Sequence, residues 1–140
     1  MPAATPRFDA PCPCGRVDRT RNKARNFGQC CGLYLGDGSS LSAPDAEALM
    51  RSRYTAFVLE RRDYLMATWH ASNRPADLSF EAGVKWLGLE VKSFAEEGSR
   101  AEVAFVARQK SAGSPAVRLQ EKSRFVREQG RWYYLDGDLQ

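Results

Sequence analysis

Apolar side chains recur at helical spacing in the first half of the chain. Ser42, Pro44 and Asp45 form a helix start, with proline in the first turn and an acid near the positive end of the helix dipole. The apolar positions that follow are Ala46, Leu49, Met50, Tyr54, Phe57 and Val58. This spacing predicts an amphipathic helix over residues 43 to about 59. A second, shorter helix is predicted over residues 62–68.

From about residue 84 the period of the pattern changes from helix to strand. Apolar and polar side chains alternate at Leu87, Leu89 and Val91, at Ala101, Val103, Phe105 and Ala107, and at Val117, Leu119, Ser123 and Phe125. A fourth strand is predicted over residues 131–135, and Asp136-Gly137-Asp138 is expected to form a terminal turn. Short turn-like stretches separate these runs, which favours an antiparallel meander. Helices followed by a curved antiparallel sheet predict an α+β fold in which the helices cover one sheet face.

The positions of the cysteines divide the chain into two parts. All four, Cys12, Cys14, Cys30 and Cys31, lie within the first 32 residues, in a segment poor in apolar side chains. A turn-rich joint at residues 36–40 follows this segment. We therefore expect a small cysteine-containing segment at residues 1–35 and an α+β domain at residues 41–140.

The length and composition are those of an ordinary globular protein. The chain of 140 residues is 43% hydrophobic and 27% charged, which excludes a disordered tail and a fibre. No run approaches the roughly 18 consecutive apolar residues of a membrane helix, and the first residues lack the apolar region of a signal peptide. We expect a cytoplasmic protein without membrane insertion. In that reducing compartment, clustered cysteines are more often metal ligands than disulfides.

The spacing of the cysteines suits one structural zinc ion. Tetrahedral zinc needs four thiolates at about 2.3 Å from the metal, and two local pairs joined by a loop meet that need. Pro13 stiffens the first pair, while Gly15 and Gly32 allow the backbone to turn beyond each pair. A site closed by four cysteines leaves no open position for catalysis. The alternatives are reduced cysteines that cluster by chance, or two disulfides.

Motifs along nearly the whole chain resemble one bacterial family. CPCG and QCCG resemble the SEC-C zinc motif, and AEALMRSRYTAFV, DYLMATWH, WLGLEV, EKSRFVRE and GRWYYLDG resemble the YchJ family. In that family a SEC-C segment precedes a nuclear-transport-factor-2-like (NTF2-like) domain, a cone of helices packed on a curved antiparallel sheet. The resemblance implies that Cys12, Cys14, Cys30 and Cys31 are the zinc ligands. It implies no particular activity.

The net positive charge lies in the same segment as the cysteines. The formal net charge is +4, and the first 32 residues account for it with six basic residues against two acidic ones. Four thiolates and one zinc ion would lower the charge of this segment to about +2. The candidate anion-binding residues between the cysteine pairs are Arg16, Arg19, Arg21, Lys23 and Arg25. The alternative is that these side chains form a solvated surface.

Two charged residues are predicted on inward-facing surfaces. Arg53 lies about 60° from the apolar line of the first helix, and Glu121 shares a strand face with Leu119. An unpaired buried charge is costly, so we expect Arg53 and Glu121 to meet in the core or in a pocket of the curved sheet. His70 and Ser123 complete the candidate pocket. For Arg53 and Glu121, the alternative to a ligand-binding role is a purely structural ion pair. For His70, the alternative to general-base catalysis is a capping or hydrogen-bonded role.

These features favour a binding protein over an enzyme. The leading hypothesis is a non-catalytic interaction or adaptor protein whose zinc segment docks on a protein or ribosome-like partner. One alternative is a small-molecule-binding protein or an enzyme that uses the cone pocket, by analogy of fold. The other is nucleic-acid binding through the basic zinc segment, with an affinity that falls steeply as salt is added.

Overall fold

The computed structural model describes residues 4–35 and 41–140. The joint predicted at residues 36–40 lies outside the described residues, so the boundary between the two parts stays a prediction. Within the described ranges, no helix combines the length and the apolar character needed to cross a membrane.

The N-terminal segment folds around its cysteines with little regular structure. Strands β1 (Val17–Asp18) and β2 (Lys23–Ala24) pair as an antiparallel hairpin. A 3-10 turn, Phe27–Gln29, and a short helix, α1 (Gly32–Leu35), follow it. The hairpin returns the chain to the first cysteine pair. The second pair therefore lies close to the first.

The two helices predicted from the periodicity are both present. They are α2 (Ala46–Leu59) and α3 (Arg62–Ala67). Helix α2 begins later than expected because Asp45 is its N-cap: Asp45 Oδ1 accepts a hydrogen bond from the Ala48 amide at 2.7 Å. Pro44 therefore lies before the helix rather than in its first turn.

Four antiparallel strands form one sheet in the order of the chain. They are β3 (Lys85–Glu97), β4 (Arg100–Lys110), β5 (Val117–Glu128) and β6 (Arg131–Leu139). The predicted meander and α+β class are confirmed. The segment that follows α3 pairs with the outer edge of β6, where Tyr134 N donates to Thr68 O and His70 N donates to Tyr134 O, each at 2.8 Å.

The last strand is longer than predicted. Asp136-Gly137-Asp138 continues β6, so the expected terminal turn was wrong. Arg124 on β5 forms ion pairs with the carboxylates of both Asp136 and Asp138 across the strand pair. These cross-strand pairs hold the chain extended up to Leu139.

The inward face of β3 also differs from the prediction. Leu87 is 47% exposed, while its neighbour Trp86 packs against the core. A register shift between Trp86 and Gly88 marks a β-bulge at this point, and Gly88 has a φ of +151° that favours glycine. A bulge changes which side chains point to each face, and this is why Leu87 does not share a face with Leu89 and Val91.

Helix α2 packs on the sheet with one side and on the N-terminal segment with the other. Ten of its 14 residues are buried. The buried set includes the polar side chains of Ser52, Arg53 and Thr55. The apolar stripe predicted for this helix accounts for only one of its two buried sides. Each buried polar side chain therefore needs a hydrogen-bond partner.

Candidate functional site

The fold brings the four cysteines of the N-terminal segment into one buried cluster. Their sulfur atoms all lie within 4.8 Å of one another, and the Sγ atoms of Cys14 and Cys30 are 3.6 Å apart. The four cysteines are free thiols, so the two-disulfide alternative was wrong. None of the four residues is more than 6% exposed. Protein therefore encloses the cluster.

The backbone beside the cluster requires glycine at two positions. Gly15 follows the first cysteine pair with a φ of +74°, in the left-handed region that favours glycine. Gly32 follows the second pair, and a Cβ atom there would lie 2.6 Å from the carbonyl oxygen of Phe27. The Cys12 amide donates to the Arg25 carbonyl oxygen at 2.9 Å, which ties the first pair to the end of the hairpin.

Helix α2 makes polar contacts with the cluster that sequence reasoning missed. Thr55 Oγ1 donates a hydrogen bond to Cys31 Sγ at 3.2 Å and lies 4.0 Å from Cys12 Sγ. Arg51 Nη1 donates to the carbonyl oxygen of Cys14 at 3.2 Å. The sequence signal available for the Thr55 contact was a hydroxyl flanked by the apolar residues Tyr54 and Ala56.

The donor set and its spacing fit a tetrahedral thiolate metal site. Four sulfurs bound to one ion at about 2.3 Å lie roughly 3.8 Å apart, close to the spacing of the cluster. Hydrogen bonding with Cys12 raises the pKa of the Cys14 and Cys31 thiols, and burial adds to this effect. A bound cation would favour the thiolate form of all four groups. With a metal bound, the Thr55 hydroxyl would stabilise and orient the Cys31 sulfur.

The predicted anion-binding residues lie on and beside the β1–β2 hairpin. Arg19, Arg21 and Lys23 are exposed, while Arg16 and Arg25 are half-buried. Arg21 Nε lies 3.6 Å from a carboxylate oxygen of Asp18, so this cation is paired. Within the described part of the chain, Arg19 and Lys23 form no ion pair.

A cavity of about 200 Å³ lies between α2 and the inner face of the sheet. Its walls are mainly apolar and include the rings of Tyr54, Phe57 and Trp86. Three of the four predicted pocket residues, Arg53, Glu121 and Ser123, line it together. The fourth, His70, lies outside it.

His70 makes structural contacts near the outer edge of β6. Its Nε2 atom lies 3.0 Å from Glu128 Oε2, and its Nδ1 atom lies 2.7 Å from Ser72 Oγ. Both ring nitrogens thus have a partner, in agreement with a hydrogen-bonded role. The structure does not bring His70 to the other candidate pocket residues.

Arg53 is buried in the cavity wall and is only 6% exposed. Its Nη1 atom donates to the Leu65 carbonyl oxygen at 2.8 Å and to Thr68 Oγ1 at 2.7 Å. The guanidinium carbon lies 4.6 Å from the ring centre of Tyr134 and 5.1 Å from that of Trp69. Burial lowers the pKa of Arg53 to about 10, so the side chain keeps its charge at neutral pH.

Glu121 lines the same cavity from β5. Its Oε1 atom accepts hydrogen bonds from Ser123 Oγ at 2.9 Å and from the Tyr134 hydroxyl at 3.0 Å. Burial, together with the charge of Glu121, raises the pKa of Tyr134 and keeps its hydroxyl a donor. A Cβ atom at Gly137 would overlap the Glu121 carboxylate, so the absence of a side chain there leaves room for Glu121.

Arg53 and Glu121, which were expected to meet in the core or in a pocket, share the cavity without a direct ion pair. Both line the cavity, but no ion pair of 4.0 Å or less joins them in the described structure. Arg53 is held instead by acceptors on and just after α3 and by two aromatic rings. These acceptors come close only once α3 packs beside α2, which the periodicity of either helix does not reveal.

Comparison with known proteins agrees with this architecture. The family model described as "YchJ, middle NTF2-like domain" matches residues 45–137. This chain belongs to the YchJ family. Its relatives include the UPF0225 protein of Polaromonas sp. strain JS666, 64% identical over 130 residues that cover 92% of this chain and 93% of the relative. The UPF0225 protein of Methylibium petroleiphilum is 56% identical over 131 residues, covering 92% and 88% of the two chains.

Two solved structures share the fold of this YchJ-family chain. The solution structure of a SEC-C motif containing protein from Rhodopseudomonas palustris matches with a TM-score of 0.77 and 33% identity, covering 92% of this chain and 98% of that one. The crystal structure of a SEC-C motif containing protein from Psychrobacter arcticus matches with a TM-score of 0.74 and 27% identity, covering 95% and 85%. The family and fold expected from the motifs are thereby confirmed.

Proposed function

We propose that this protein is a non-catalytic interaction protein whose N-terminal segment, residues 1–35, is built around one structural zinc ion. Cys12, Cys14, Cys30 and Cys31 would hold the ion. The observation that carries the proposal is their four buried sulfurs within 4.8 Å of one another. Four thiolates in a closed site are the donor set of structural zinc. Free thiolates need a reducing compartment, so the proposal assigns the protein to the cytoplasm.

In this proposal the zinc would hold the β1–β2 hairpin in a shape that a partner recognises. The hairpin begins and ends beside the cysteine cluster and carries the exposed cations Arg19 and Lys23, which form no ion pair with any described residue. Residues 41–140 would act as a scaffold that holds the segment in place. Thr55 and Arg51 make contacts between the two parts.

An acidic protein surface fits this hairpin better than a nucleic acid does. With four thiolates and zinc, the segment would carry a net charge of about +2. Proteins that bind a nucleic-acid backbone strongly neutralise roughly 6–10 phosphates. Two exposed cations on a short hairpin suit a few specific carboxylates on a folded partner instead.

The lack of a reactive arrangement supports the non-catalytic part of the proposal. A closed thiolate site offers a substrate no coordination position. The sole histidine, His70, is engaged by Glu128 and Ser72 away from the cavity. In the cavity the Ser123 hydroxyl donates to Glu121, and no described histidine or lysine lines the cavity beside this pair.

Metal analysis tests the zinc site. The purified full chain should contain about one zinc per molecule, and the Cys30→Ser variant should contain markedly less. A metal-free wild-type protein that is nevertheless folded would contradict the proposal.

Affinity capture tests the docking role. Arg19→Glu with Lys23→Glu should abolish capture of the partner, whereas the same charge change at the exposed residues Lys110 and Arg131 should leave it intact. Capture should persist after nuclease treatment. Capture lost to nuclease would favour nucleic acid, and capture unaffected by the hairpin variant would exclude this docking surface.

A further inference from the structure

The cavity between α2 and the sheet combines apolar walls with two opposite charges that do not neutralise each other by contact. Arg53 and Glu121 both line it, and no ion pair joins them in the described structure. Their formal charges cancel, so the cavity as a whole is neutral while it contains a donor group and an acceptor group. This feature is independent of the cysteine cluster.

The Arg53 guanidinium has donors left over for a ligand. Nη1 is used by Leu65 O and Thr68 Oγ1, but no described residue accepts a hydrogen bond from Nε or Nη2. Among the described residues, the only sealed side-chain polar atom without a partner is Nε1 of Trp69. The remaining guanidinium donors are therefore accessible, and the side chain to which they belong lines the cavity.

The Glu121 carboxylate has an acceptor left over in the same way. Oε1 is engaged by Ser123 and by the Tyr134 hydroxyl, and no described residue donates to Oε2. Tyr134 links the two charged groups, because its ring lies 4.6 Å from the Arg53 guanidinium carbon while its hydroxyl bonds Glu121. Charged groups that are held firmly in a cavity wall and still have unused hydrogen-bonding atoms are typical of a binding site.

The size of the cavity sets the size of the ligand. A cavity of about 150 Å³ with apolar walls binds benzene. The cavity here measures about 200 Å³ and is walled by Tyr54, Phe57 and Trp86, which suits a larger flat ring system. Its polar end requires a head group that accepts from Arg53 and donates to Glu121.

We propose that the cavity binds a small, uncharged aromatic compound that carries a carboxamide or lactam group. The carbonyl oxygen would accept from the free guanidinium donors of Arg53, and the N–H would donate to Oε2 of Glu121. A carboxylate would meet Arg53 favourably but place its charge beside Glu121, and an ammonium group would do the opposite. A neutral amide satisfies both groups and leaves no buried charge unmatched.

Calorimetric titration of the full chain with three matched probes tests the proposal. The probes are 2-naphthamide, 2-naphthoate and 2-naphthylmethylammonium, which share one ring system and differ in head group. The amide should bind about tenfold or more tightly than either charged probe, because mispairing a buried charged group weakens binding by that order. Equal binding of the three probes, tighter binding of a charged probe, or binding of none would overturn the proposal.

A Glu121→Gln variant provides the second, independent arm. The Gln side chain keeps the carbonyl acceptor for Ser123 and Tyr134 but replaces Oε2 with a donor, so the preference should shift from the amide to the carboxylate. Glu96→Gln, at an exposed position on β3, removes the same charge and should keep the wild-type order. An unchanged order in Glu121→Gln would overturn the proposal. If that variant does not fold, the order of the three probes in the wild type still decides.

Discussion

Thr55 Oγ1 donates a hydrogen bond to Cys31 Sγ over 3.2 Å, and this contact joins helix α2 to the cysteine cluster. Thr55 is 0% exposed, so water does not compete for its hydroxyl. The hydroxyl also lies 4.0 Å from Cys12 Sγ, which belongs to the other cysteine pair. The scaffold thus contributes a polar group to the middle of the proposed metal site.

Removal of that hydroxyl should weaken metal binding. Thr55→Val keeps the shape of the side chain but leaves Cys31 without its donor, and partners of this kind typically change metal affinity by about 10- to 100-fold. Competition with a chromogenic chelator measures the affinity. Thr55→Ser keeps the hydroxyl and should bind zinc nearly as tightly as the wild type. An affinity that is the same in Thr55→Val would show that the contact does not orient the ligand.

Removal of the metal should destabilise the fold. Zinc that binds only the folded chain stabilises it by mass action, so excess chelator should lower the midpoint of thermal unfolding by more than about 5 °C. A Cys12→Ser/Cys14→Ser variant should unfold near the chelated wild type and respond little to chelator. A wild-type midpoint that chelator leaves unchanged would argue against a structural ion.

Gly32 and Gly28 offer a matched pair of substitutions beside the cluster. A Cβ at Gly32 would meet the Phe27 carbonyl oxygen at 2.6 Å, a backbone atom that the 3-10 turn holds in place. A Cβ at Gly28 would overlap the ring of Phe8, but that side chain is 71% exposed and is free to move. Gly32→Ala should therefore lose zinc, and its free energy of unfolding should fall by about 1–3 kcal/mol. The free energy of unfolding should fall much less in Gly28→Ala. Zinc content and urea denaturation check both, and equal losses would contradict this account.

The ion pairs at the end of the sheet predict a dependence of stability on pH. Hydrogen bonding to Arg124 lowers the pKa of Asp138 below its usual range. A carboxylate whose pKa is depressed in the folded state adds stability above its unfolded pKa of about 3.9, and this stability is lost as pH falls through the folded pKa. The wild type should thus exceed Arg124→Gln in free energy of unfolding at pH 7, and the difference should shrink below about pH 4. A difference that stays constant from pH 7 to pH 2.5 would be contrary evidence.

The elements that follow from local periodicity were predictable from the sequence. The apolar spacing of residues 46–59 and the alternation in β4 depend on near neighbours along the chain, and both elements formed as expected. The cysteine pairs, which fifteen residues separate along the chain, were likewise recognisable. Asp45 shows why helix ends are harder to predict than helix interiors. Because its side chain acts as the N-cap, helix α2 begins several residues later than the apolar spacing indicated.

The features that depend on distant partners were not predictable. The bulge at Gly88 moves Leu87 to the exposed face, and the alternation of side chains carries no sign of it. Asp136 and Asp138 look like turn residues until Arg124 of the neighbouring strand pairs with them. Arg53 finds its acceptors on and after α3, a choice that the packing of three elements decides.

Helix α2 separates the cysteine cluster from the cavity by no more than its own diameter. Thr55 reaches the sulfurs, and Arg53, about 200° away around the helix, lines the cavity. A displacement of the helix would therefore affect contacts on both of its sides. Coupling of this kind is reciprocal, so the factor by which metal changes the cavity's affinity for a ligand equals the factor by which that ligand changes the affinity for metal. A single helix would thus couple the proposed zinc site to the proposed ligand cavity.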